Sequence, residues 1–118
     1  MVAASTVVCA AQGHAAGSEP SGFDQYFSEI RLANQPDVPI AERQRHADAA
    51  IEAARTLQTS CDADTVMAAV IDEAYAYLPF KGTPAAYALL VQKAPGHASA
   101  AMTVEYAFTL GALEYLFD

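Results

Sequence analysis

The stretch ASAAMTVEYAFTLGALEYLF, Ala98 to Phe117, decides how the rest of the chain is read. Met102, Tyr106, Leu110, Leu113 and Phe117 fall on one helical stripe, and Val104, Phe108, Ala112, Tyr115 and Leu116 widen it until little polar face remains. The spacing predicts a helix. Its length would suit a membrane span, but Glu105 and Glu114 lie inside it, and an acidic group at mid-bilayer costs about 2.5–3.5 kcal/mol. The alanines and threonines around them offer little to offset that cost. The stretch therefore reads as a buried helix of a soluble domain and not as a membrane-spanning one. A helix apolar nearly all round belongs at the centre of a core or in an interface. In a domain this small, part of its surface is expected to be covered by another chain, a second copy included. Glu105, set in the most apolar helix, is expected to be buried and to need a donor, either a tyrosine hydroxyl or Lys93.

Upstream, proline and glycine divide the chain into further helices. Gly17 to Gly22 reads as a linker or turn. Phe23, Tyr26, Phe27 and Ile30 then follow at helical spacing and predict a helix to about Asn34. After the loop Asn34–Pro39, a second helix is expected from Pro39 to about Ser60. Ile40, Ala47, Ala50, Ile51, Ala54 and Leu57 form its apolar stripe. Its other face carries the pairs Arg45–Asp48 and Glu52–Arg55, three apart, which predict a solvated, self-neutralising surface. Asp62 or Asp64 is suited to cap a third helix running to about Leu78. Thr83-Pro84 reads as a cap followed by proline in the first turn, opening a short helix to about Lys93. No segment alternates with period 2 for long enough to predict a strand. The expected fold is all-α, a small bundle of four to five helices joined by short Pro/Gly loops. Residues 17–118 form its single domain.

The composition narrows the function. The chain has 118 residues, six Lys+Arg against fourteen Asp+Glu, a formal charge of −8 and a sequence pI near 4.6. That balance excludes a nucleic-acid binder, which needs cations to neutralise phosphates, and an anionic membrane surface as partner. Twenty-seven alanines favour helix and close helix packing but contribute little chemistry.

Residues 1–16, MVAASTVVCAAQGHAA, are mildly apolar, uncharged and end in small residues. They read either as the remnant of an export signal or as an alanine-rich arm. The first reading places the protein in a periplasmic or secreted setting, the second in the cytoplasm. If both cysteines are retained, Cys9 and Cys61 can pair in an oxidising compartment. Otherwise Cys61 reads as a small residue at a helix junction.

No catalytic or cofactor signature emerges. The six glycines never cluster as a phosphate cradle, and no Gly-x-Ser-x-Gly elbow occurs. Glu42 and His46, four apart, read as a surface pair and not as metal ligands. Asp62-Ala63-Asp64 opens like a calcium loop, but Val66 and Met67 stand where further ligands and a glycine are required. Asp72-Glu73 could supply acid–base chemistry, but adjacent helical positions point about 100° apart, so at most one faces the core. No cofactor and no metal is expected, and no enzyme.

Eight of the eleven aromatic residues follow Ala74, and six of the eleven are tyrosines, a pattern suited to half-buried surfaces. Tyr75 and Tyr77, two apart, face different sides of their helix. The basic residues concentrate on one amino-terminal helix, whereas residues 56–118 carry two basic and seven acidic residues. The expectation is a small acidic module of the inhibitor or immunity type, binding a basic protein partner through Asp72, Glu73, Tyr75, Tyr77, Phe80 and Tyr115. The alternative is an exported carrier holding a small apolar ligand in an inter-helix cavity.

Overall fold

A computed structural model describes residues 21–94 and 96–117. The amino-terminal stretch, with Cys9 and the expected export signal or arm, lies outside them. Among the described residues the fold is all-helical, with α1 (Ser21–Ala33), α2 (Ile40–Leu57), α3 (Ala63–Tyr77), α4 (Thr83–Lys93) and α5 (Ala100–Phe117). Helix α1 packs on α2, and α3 stands in the middle of the bundle, against α2 on one side and α4 and α5 on the other.

The helix ends follow local chemistry. The Asp62 carboxylate accepts the Thr65 amide hydrogen at 3.0 Å and caps α3. Pro39 stands at the cap of α2 and Thr83 in the first turn of α4, so each is displaced by one position from its sequence-based assignment. The cap of α4 is Gly82, with φ of +91°, a left-handed conformation that side-chain-bearing residues resist. It closes a turn in which the Tyr77 carbonyl accepts amide hydrogens from Phe80, Lys81 and Gly82. Ser99 Oγ accepts the Met102 amide hydrogen at the start of α5. The Ser99 amide in turn donates to Asp64 at 2.7 Å, tying the beginning of α5 to the first turn of α3. Those hydrogen bonds hold the Asp64 carboxyl below its ordinary pKa.

Two cores flank α3. On one side Ala50, Ala53 and Ala54 of α2 meet Tyr26 of α1 and Ala76 of α3, with Ile51 beside them. Small side chains let the backbones approach closely, and Ala50 and Ala54 lose all contact with solvent. The start of α1 is equally tight, since a Cβ on Gly22 would come within 3.0 Å of the Leu57 side chain. On the other side Met67, Val70, Ile71 and Ala74 of α3 pack with Ala86, Leu89 and Leu90 of α4 and Leu113 of α5.

Helix α5 is an outer layer and does not occupy the centre that its composition suggested. Among its described side chains Thr109 and Leu113 are buried, with Met102, Tyr106 and Leu110 half-buried against α3 and α4. The remaining side faces solvent, Glu105 included, which corrects the expectation that this glutamate is buried. The physical reason is that, among the described residues, only α3 and α4 pack against α5, so a single side of it is covered. No helix among the described residues is long and apolar enough to cross a membrane.

Candidate functional site

Helix α3 carries the two carboxylates that the sequence placed side by side, and its geometry sends them into opposite settings. Glu73 is fully buried toward α2 and α4. Arg55 Nε donates to its Oε2 at 2.9 Å and the Tyr77 hydroxyl donates to the same oxygen at 2.9 Å. Gln58 Nε2 donates to Oε1 at 2.7 Å, and Lys93 Nζ reaches that oxygen at 3.3 Å. Burial pushes the Glu73 carboxyl up, but the hydrogen bonds from Gln58, Tyr77 and Arg55 and the charge of Lys93 outweigh it. The net result is a carboxyl held below its ordinary range. Arg55 also donates to the Tyr77 hydroxyl and Lys93 to the Gln58 side-chain oxygen Oε1, so the cluster is closed on itself. It ties α2, α3 and α4 together and leaves no buried side-chain polar atom unpartnered among the described residues.

Asp72 faces the other way, into an open cleft of about 680 Å³ between α1 and the end of α3. Tyr26, Phe27, Ile30 and Asn34 line it from α1, and Asp72, Tyr75, Leu78 and Pro79 from α3 and the turn that follows. The Tyr26 hydroxyl donates to the Asp72 main-chain carbonyl at 2.7 Å and fixes the two helices. The Tyr26 and Phe27 rings meet edge-on at 5.3 Å. Burial pushes the Asp72 carboxyl up to about 6. Burial, followed by the charge of Asp72, likewise pushes the Tyr26 hydroxyl above its ordinary range. None of the lining residues is a cation.

A second exposed feature is the outer side of α5. Val104 (68%), Phe108 (72%), Tyr115 (82%) and Leu116 (59%) stand in solvent there. Ala101, Val104, Phe108, Gly111 and Tyr115 repeat at alternating intervals of three and four, the spacing of a helix-pairing seam, with Leu116 beside Tyr115.

The six residues singled out from the sequence therefore do not form one patch. Asp72 and Tyr75 share the cleft, Glu73 and Tyr77 belong to the inner network, Phe80 is half-buried in the turn before α4, and Tyr115 is on α5. Glu73, with no solvent exposure, presents nothing to a partner, because the core between α2 and α3 closes over it. The expected charge pairing on α2 also differs. Arg45 pairs weakly with Glu42 at 4.0 Å, and Arg55 crosses to Glu73 instead of staying with Glu52. His46 Nδ1 lies 2.6 Å from Glu29 of α1, so its partner is across the helix pair and not Glu42. Lys93, considered as a donor for Glu105, serves Glu73. Cys61 lies in the loop between α2 and α3 and is disulfide-bonded, whereas Cys9 falls outside the described residues.

Sequence reasoning missed the contribution of α1 to the cleft. The signal was present in Phe23, Tyr26, Phe27 and Ile30, which were read only as the face of a helix, and Phe27 remains more than half exposed on it. No group of three or more metal-ligating side chains occurs among the described residues. No protein-family model matches this chain, and no curated protein sequence or solved structure matches it.

Proposed function

We propose that the chain is a non-enzymatic interaction module that binds a helix of a basic protein partner along the outer face of α5. The observation that carries this reading is the row Val104, Phe108, Tyr115 and Leu116, exposed on a helix about 27 Å long. Contiguous exposed apolar surface of this kind marks an interaction site, and the three–four spacing fits a helix lying alongside. Gly111 stands in the middle of the row, and a Cβ there would meet nothing within 4 Å, so a partner backbone can come close. Glu105 and Glu114 border the row, and α5 carries no basic residue. A partner helix with Lys or Arg beside its apolar stripe is complementary to that arrangement, whereas a second copy would set carboxylates against carboxylates.

The separation of Asp72 from Glu73 supports the non-enzymatic reading, since Asp72 faces the cleft while Glu73 is enclosed by Arg55, Gln58, Tyr77 and Lys93, so the pair is not presented to one substrate. An exported setting belongs to the same proposal, supported by the disulfide at Cys61. The carrier alternative has one observation in its favour, the cleft between α1 and α3. That cleft is open and holds a carboxylate, which disfavours a wholly apolar cargo.

The test is affinity capture from native extract on the full chain, beside a Phe108→Ser/Leu116→Ser double variant, at low and high salt. The expected result is a single protein retained by the wild type, weakened by salt and lost with the double variant. An identical set of proteins on both baits overturns the reading. So does sedimentation showing that the chain itself dimerises through α5, which assigns the face to a second copy.

A further inference from the structure

We infer that the cleft between α1 and α3 is a binding site for a primary ammonium group carried on an alkyl chain, with Asp72 as its counter-ion and Tyr75 against it. This inference rests on the cleft alone and is independent of the face proposed for α5.

The first argument is the placement of charge. The other basic side chains near α3 are already engaged: Arg55 and Lys93 on Glu73, and Lys81 over the Tyr77 ring at 5.5 Å. Arg43 donates to the Val38 carbonyl in the loop before α2. Among the described residues nothing cationic lines the cleft, and no hydrogen bond restrains the Asp72 carboxylate. A partly desolvated carboxylate without a counter-ion disfavours the folded state, which is why burial alone pushes Asp72 up to about 6. A bound cation removes that penalty.

The second argument is the donor and acceptor inventory. Asn34 uses its Nδ2 on the Ile30 carbonyl at 3.0 Å, which leaves its amide oxygen as an acceptor. The Tyr26 hydroxyl uses its hydrogen on the Asp72 carbonyl and keeps its lone pairs. The cleft therefore offers acceptors in excess, and an ammonium supplies three donors and no acceptor. Three aromatic residues, Tyr26, Phe27 and Tyr75, are in the lining, where a ring attracts a cation, and Ile30, Leu78 and Pro79 give an alkyl stem an apolar wall. A single carboxylate is too few ligands for a metal ion. A cleft of about 680 Å³ lies within the range of small-ligand sites.

The same ammonium could arrive as a lysine side chain of a protein or as a free aliphatic amine, and the experiment separates them. The full chain is titrated with n-pentylamine, with Nα-acetyl-lysine N-methylamide and with the uncharged n-pentanol, following amide chemical shifts. Perturbations are expected at residues 26–34 and 72–79 with the two amines. Preference for the lysine derivative assigns the site to a protein segment, and preference for pentylamine to a free amine. Asp72→Asn is expected to weaken either at least tenfold, and Tyr75→Ala severalfold. Asp72 is the group in the cleft that titrates in the acidic range, since its other ionisable neighbours are the tyrosines 26 and 75. Binding is therefore expected to decline as pH falls through about 6. Equal binding of pentanol and pentylamine, equal affinity of wild type and Asp72→Asn, or no binding of either amine overturns the inference.

Discussion

The two sides of α3 hold the same kind of group in opposite states. On the side facing α2 and α4, Glu73 is wholly buried, receives four donors and is held ionised. On the side facing α1, Asp72 is partly buried, has no cation beside it among the described residues and is pushed toward the neutral form. One position along a helix separates them. Burial by itself thus says little about the charge of a carboxylate; the partners brought by neighbouring helices decide it. The difference also separates roles. A satisfied buried network holds elements together, whereas an unsatisfied group in a cleft is the place where a ligand gains affinity.

Breaking the satisfied side is expected to have the largest effect. Glu73→Ala removes the acceptor shared by Arg55, Gln58, Tyr77 and Lys93 and leaves a void between α2 and α3. A loss of about 2–4 kcal/mol is expected in urea unfolding at pH 7, moderated because Arg55 and Lys93 are about half exposed and can turn to water. The deficit is pH-dependent in a definite sense. The folded-state pKa of Glu73 lies below its ordinary value, so its stabilisation is present above the unfolded pKa and lost as pH falls through the folded one. Overfilling the alanine core beside it comes next. Ala54→Leu, at a position with no exposure, is expected to cost about 1–3 kcal/mol in the same measurement.

Asp72→Asn probes the other side and has the opposite sign. The folded pKa is raised to about 6, so the ionised side chain works against folding at neutral pH. The substitution is expected to stabilise the chain by about 1–2 kcal/mol at pH 7. That gain shrinks as pH falls below about 6 and vanishes below about 4, where Asp72 is protonated in both states. Stability curves of wild type and variant that run parallel across this range would erase the contrast between the two sides.

The smallest effects belong to the outer face of α5. Gly111→Ala is expected to gain up to about 1 kcal/mol from helix propensity, because the added Cβ meets nothing. Phe108→Ser is expected to stay within about 0.5 kcal/mol, as a substitution at a largely exposed position. A large loss on Phe108→Ser would mean that this face is covered within the chain itself.

Much of the fold was legible in the amino acids. Apolar spacing located each of the five helices, and Asp62 was readable as a cap because a carboxylate before a helix satisfies free amide hydrogens. The divergence of Asp72 from Glu73, and of Tyr75 from Tyr77, followed from helical geometry alone. Which of the two carboxylates turns inward was not legible, nor that Arg55 leaves its own helix to meet Glu73. Both depend on residues 15 to 20 positions away, brought near by the crossing of α2, α3 and α4. Glu105 was misread for a related reason: an apolar neighbourhood along one helix is not burial when the helix packs on one side only.

The sequence by itself determined the all-helical plan, its breaks and a net negative charge, because these follow from local conformational preference and summed charge. Only the tertiary structure decided which acid is ionised in the core, which is left facing a cleft, and which side of α5 meets solvent. Those outcomes are set by contacts between helices distant along the chain, where the same side chain is stabilised or penalised according to what the fold sets against it.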